Sequence, residues 1–167
     1  MTKPQFAGAA VAVLMAVSLG ACNAKPAVDT AKIADAVKAD ATQRIADVNA
    51  HDAAKVASHD AADAIAMFHG RANATGPAAI AASFNQSMAI SPDLHVTLSD
   101  PVVDVAASGD LAVIHSTTVA TFTDPKTKQP VTTTSNSVAG YKPQADGTWK
   151  IEWSVVSDVA PAPAAKG

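Results

Sequence analysis

Ala50–Phe84, AHDAAKVASHDAADAIAMFHGRANATGPAAIAASF, is the stretch from which the rest of the chain can be placed. Asp52 is an N-cap for a short helix, because its carboxylate can accept from backbone N–H groups that lack a partner inside the helix. Asp60-Ala-Ala-Asp63 interrupts the helical pattern with two turn-forming acids. Ile65-Ala-Met-Phe68 is short, apolar and closed by His69-Gly70, which reads as a buried strand. Thr75-Gly76-Pro77 opens the next helix, with proline near the first turn, where its missing N–H costs nothing. Ile80, Phe84 and Met88 then recur at i, i+4 and i+8 and give that helix one apolar face. The order is helix, edge strand, helix.

Working back from this stretch, a longer helix begins at Asp29 or Thr30. Ile33, Val37, Ala41, Ile45 and Val48 share one face of it, with Lys32, Asp35, Asp40, Arg44 and Asp47 on the opposite, solvent side. Residues 22–29 form a polar tether carrying Pro26. Before it, Phe6–Leu19 is an apolar run of 14 residues behind Lys3. That is short for a membrane span and suited to a signal peptide over residues 1–21. The run ends Leu19-Gly20-Ala21-Cys22, which resembles the bacterial lipobox, whose cysteine becomes the lipidated first residue of a mature lipoprotein. Cys22 is the single cysteine of the chain, so no disulfide framework competes for it. The resemblance implies lipidation at Cys22, attachment to the membrane through that anchor, and a place in the bacterial cell envelope facing the periplasm or exterior.

Forward of Met88 the texture changes. Ser91-Pro92-Asp93 is a turn, and β-branched residues dominate from Leu94 onward. Leu94–Leu98 and Val102–Ala106 flank Pro101, which cannot donate to a ladder and so marks an edge or a bulge. Ser108-Gly109-Asp110 turns the chain into a long strand, Leu111–Thr123, and a polar connection leads to Val131–Pro143. Asp146-Gly147 is the strongest hairpin signal. Beyond it Trp149, Ile151, Trp153 and Val155 alternate against Lys150, Glu152, Ser154 and Val156, predicting one buried face and one wet one. Residues 159–167 read as a disordered, low-complexity tail.

Helices followed by consecutive antiparallel strands make an α+β domain over residues 30–158, with N-terminal helices packed on one face of a curved sheet. The chain here resembles the SnoaL-like, nuclear transport factor 2-like superfamily, with its ketosteroid-isomerase-like cone. The matching residues are Asp52-Ala53, Asp63-Ala64, Gly76 with Ile80 and Phe84, Ser108-Gly109-Asp110-Leu111-Ala112, and Asp146-Gly147-Thr148-Trp149-Lys150-Ile151. The resemblance implies a pocket at the wide end of a cone and a homodimer formed through the sheet. Its members include isomerases, polyketide cyclases and dehydratases.

The chemistry is less explicit. A net charge of −3 with scattered Lys and Arg gives no nucleic-acid surface. His51, His59, His69, His95 and His115 show no H-x3-H or HExxH spacing, so neither a metal nor another cofactor is expected, and the histidines read as solvated or singly hydrogen-bonded. There is no GxSxG, P-loop or dinucleotide fingerprint. The candidates for an acid, base and donor are Asp104, His115 and Tyr141, with Asn136 and Trp153 as pocket residues. No tyrosine stands on the first helix, where the isomerase resemblance would place its donor. The reading is therefore a lipid-anchored envelope protein with a non-catalytic role in binding a small hydrophobic ligand or in assembly. The alternatives are an isomerase, cyclase or dehydratase acting by proton transfer on a small apolar substrate, and a purely structural homodimer.

Overall fold

The computed structural model describes residues 27–159. The expected signal peptide, most of the expected tether with Cys22, and most of the expected C-terminal tail lie outside that range. Asp29 caps α1 (Thr30–Asn49), its carboxylate accepting from the Lys32 amide at 3.0 Å. Asp52 does the same for α2 (Ala53–Ser58), as its position in the sequence requires. Between the helices His51 takes φ 56°, which reverses the chain direction. Its Nε2 donates to the Leu94 carbonyl at 3.1 Å, while the Asn49 amide donates to Val96 O and accepts from Val96 N. These bonds tie the end of α1 to the sheet.

β1 spans Asp60–Phe68, β2 Ala74–Thr75, and α3 Gly76–Ile90. β3 (His95–Val105), β4 (Ala112–Thr123), β5 (Pro130–Pro143) and β6 (Trp149–Asp158) follow. The six strands lie in the order β2-β1-β6-β5-β4-β3. β3 to β6 form an antiparallel meander, while β1 pairs parallel to β6 through the α3 and β3–β5 crossover. Pro101 falls on edge strand β3, at a register shift between Ser99 and Val102. The Asp146-Gly147 turn closes β5 onto β6 with φ 83° at Gly147.

The core has three parts. Val37 of α1 packs on Ala112, Ile114, Ala139, Tyr141 and Ile151, joined by Ile33, Ala41, Val103, Val105 and Trp149. Ile80 and Phe84 of α3 pack on Ala64, Ala66 and Phe68 of β1, with the two phenylalanine rings edge to face at 6.1 Å. Met88, Val48, Ala53 and Val56 close the α1–α2–α3 corner. The expected α3 stripe of Ile80, Phe84 and Met88 is the one buried. Aliphatic burial at about 25 cal/mol per Å² makes these faces the main favourable contribution to folding.

The structure corrects four expectations. Asp60-Ala-Ala-Asp63 is not a turn but the first half of β1, held extended by the pairing of Asp60 with Ile151. β1 is not an edge strand, because the two-residue β2 lies outside it. Trp149 and Ile151 face the helices, but Trp153 and Val155 do not. Tyr141 pairs with Ile151 and the adjacent Gly140 with Trp153, so Glu152 is an extra residue, and past this bulge every side chain changes face. The Trp153 ring lies against Gly140, where a Cβ would collide with it. Finally, Asp40, Arg44 and Asp47 do not face solvent as a group: Asp47 is buried and Asp40 and Arg44 are half-buried.

Candidate functional site

Asp40, Arg44 and Asp47 recur at i, i+4 and i+7 on α1, a helical stripe of their own beside the apolar one. Opposite them the α2–β1 junction presents His59 and Asp60, both buried. His59 Nδ1 lies 2.7 Å from Asp40 Oδ1, and its Nε2 lies 3.0 Å from Asp47 Oδ2. Carboxylates only accept, so both ring nitrogens donate and the imidazole carries a positive charge. The bond to Asp40, reinforced by that to Asp47, raises the His59 pKa against the opposing effect of burial. The same hydrogen bond from His59 holds the Asp47 carboxyl below its usual range, and the Gln43 amide adds a second donor at 3.1 Å.

Asp60 completes the group. Its side chain is 1% exposed and its Oδ2 lies 3.6 Å from the Arg44 guanidinium, beyond hydrogen-bond distance. Burial raises its pKa, and Arg44 only partly offsets this. Among the described residues, both oxygens of Asp60, Oδ2 of Asp40 and Nε of Arg44 are buried without a hydrogen-bond partner. Arg44 stacks over the Phe84 ring at 5.2 Å. Tyr141 reaches the cluster from β5, and burial followed by the nearby Asp40 charge pushes its phenol above the ordinary value, so it stays a neutral donor. Three carboxylates thus face two cations in a space largely closed to water.

Of the residues expected to carry chemistry, Tyr141 is in this cluster and fully buried. Asp104 and His115 are exposed on the outer face of the sheet, one strand apart, facing away from Tyr141. Asn136 is exposed on that outer face too, and Trp153 lies half-buried on it. These residues do not form one site. His59 is neither solvated nor singly bonded, contrary to the expectation for the histidines. The signal that could have found it is the i, i+4, i+7 spacing of Asp40, Arg44 and Asp47, together with a His-Asp pair standing in an alanine-rich run. Among the described residues no group of His, Cys, Asp and Glu could hold a metal ion.

A second arrangement lies at the far ends of β1 and β6. Met67, Phe68, Val155 and Val156 line an open groove of ≈ 290 Å³, with His69, Ser157 and Asp158 at its rim. Asp158 Oδ2 holds His69 Nδ1 at 2.6 Å, and Nε2 makes no hydrogen bond among the described residues. This pair is 70% and 62% exposed, so solvent screens it. Arg71 covers the Phe68 ring at 4.6 Å and donates to Ser87 Oγ.

The sequence profile of the SnoaL-like domain matches residues 29–150. The chain belongs to the SnoaL-like family. Its fold is the nuclear transport factor 2-like one, and several solved structures share it. A ketosteroid isomerase-like protein from Erwinia carotovora atroseptica is 22% identical, with 76% of this chain and 96% of that one covered and a TM-score of 0.64. A nuclear transport factor 2-like protein from Salmonella enterica serovar Typhimurium is 15% identical over 83% of this chain and 99% of that one, at 0.69. A hexachlorocyclohexane dehydrochlorinase from Novosphingobium barchaimii is 17% identical over 81% and 92%, at 0.70. At these identities the likeness is one of fold. No curated protein matches the sequence significantly.

Proposed function

We propose that the protein is a lipid-anchored envelope protein, attached through Cys22, whose SnoaL-like domain binds or assembles rather than catalyses. One observation carries this reading: both ring nitrogens of the buried histidine are taken up by carboxylates, while large apolar side chains on the sheet face outward. His59 has no free ring nitrogen to take a proton from a substrate, because Asp40 and Asp47 occupy both. The outer face exposes Ile65 and Val155 beside Trp153, with Val102 farther across the sheet on β3, and the groove lined by Met67, Phe68, Val155 and Val156 lies at the ends of β1 and β6. A second copy of the chain would cover the sheet face, and a small apolar molecule would fill the groove.

A chain beginning at residue 23, freed of the acyl group, tests this. It should sediment as a dimer, and a fatty acid or aromatic ketone held at 100 times its dissociation constant should stabilise it by about 2.7 kcal/mol. A monomer whose melting temperature no such compound moves would defeat the reading.

One observation favours an enzyme instead. Asp158 orients His69 and leaves its Nε2 directed away from that contact, the arrangement of a general base, at the rim of an apolar groove. The dehydrochlorinase among the structural neighbours has the same fold. Consumption of a small apolar compound, abolished by His69→Gln, would establish that alternative.

A further inference from the structure

We propose that the Asp40–His59–Asp47 clasp is a proton-operated latch, which docks the second half of α1 on the α2–β1 junction when His59 is protonated and loosens it when the proton leaves. This goes beyond the binding reading and does not depend on it.

The geometry supplies the argument. His59 stands on α2–β1 and its two partners on α1, so both of its hydrogen bonds cross between elements that the sequence separates. Each ring nitrogen needs its own proton to make its bond. A neutral imidazole has one, so losing the other turns one donor–acceptor contact into two facing lone pairs. The rest of the surroundings cannot replace the lost charge. α1 adds Arg44, already facing Asp60 across 3.6 Å, and Phe84 of α3 offers Arg44 only a ring face. α2 adds the exposed Lys55, which also pairs with Asp52. β5 adds Tyr141, a neutral phenol, and β6 adds Lys150, whose Nζ is engaged by the Ser58 carbonyl. With His59 charged the cluster holds three carboxylates against two cations; with His59 neutral it holds three against one.

The direction in pH follows. The folded state raises the His59 pKa above its ordinary 6.5, so the latch is fully closed below that value and weakens as pH rises through the folded value. Asp60 works in the same sense, because burial raises its pKa and protonation removes the surplus negative charge. Asp47 sets the acid limit, since its lowered pKa keeps it ionised to below the ordinary 3.8.

The test is amide hydrogen exchange on the full chain in detergent micelles between pH 5.5 and 9, with the His59 ring followed by NMR. Between the ordinary 6.5 and the folded His59 midpoint the opening constant of amides 40–49 should rise by up to about tenfold per pH unit, the linkage of one proton, and it should level off above the midpoint. Amides of β4 and β5 should show no such rise. Asp60→Asn takes an anion from beside His59, so it should lower the His59 midpoint and bring the rise in opening to lower pH, and His59→Gln should remove the pH dependence. A His59 midpoint at or below 6.5 overturns the proposal. So does opening of residues 40–49 that is flat across the range, or that rises equally in β4 and β5. Should His59→Gln fail to fold, the wild-type titration and Asp60→Asn still decide the matter.

Discussion

The two faces of the sheet hold opposite exceptions: ionisable side chains are enclosed beneath α1 on one, and large apolar side chains stand partly in water on the other. Between α1 and the inner face lie aliphatic side chains at one end and, at the other, Asp40, Arg44 and Asp47 of α1 against His59 and Asp60. The outer face carries Trp153, with Ile65 at 39%, Val102 at 46% and Val155 at 36% exposure, among the polar Asp104, His115 and Asn136. A charge taken out of water is tolerated only when partners surround it, so the inner cluster is defined by how its members fix one another. An apolar strand face left in water gains free energy when something covers it, so the outer face is defined by what it meets. The inside is therefore sensitive to single deletions, and the outside to single additions of charge.

The largest effect should come from emptying the inner clasp. His59→Ala leaves three carboxylates facing Arg44 alone and should cost about 3–5 kcal/mol in urea unfolding at pH 6, the range for breaking a buried ion pair. A cost under 1 kcal/mol would show that water already reaches the cluster. Gly140→Ala probes the bulge that separates the faces. The new methyl group meets the Trp153 ring, so a loss of about 1–3 kcal/mol is expected, with a red shift of tryptophan emission as the ring is forced outward. Unchanged emission and stability would mean that Trp153 does not lie on Gly140.

Val155→Lys acts on the outside. Within the monomer it should change stability by less than about 0.5 kcal/mol, as surface substitutions do, yet abolish dimerisation and uptake of an apolar ligand. A variant that still pairs and still binds would move the interaction surface away from β6. The smallest effect belongs to His69→Gln, which removes an exposed pair and should cost less than about 1 kcal/mol. Comparing it with His59→Ala sets a buried histidine held by two carboxylates against an exposed one held by a single carboxylate.

The sequence by itself determined what depends on near neighbours. Asp29 and Asp52 cap their helices because the groups that need them are three residues away. Ile80 and Met88 face inward because a helix repeats every 3.6 residues, and Asp146-Gly147 turns because glycine accepts a positive φ. The same short-range logic placed Pro101 at an edge and made the chain α+β. Only the tertiary structure decided the rest. The parallel pairing of β1 with β6 joins segments some ninety residues apart, and it draws Asp60 into a strand that its local composition does not favour. One extra residue at Glu152 turns Trp153 outward, and strict alternation cannot show a bulge because the bulge exists only relative to β5. The clasp of His59 likewise needs α1 folded back over the α2–β1 junction. Its charges repel or attract according to distance and burial, and neither is a property of the sequence until the chain has closed on itself.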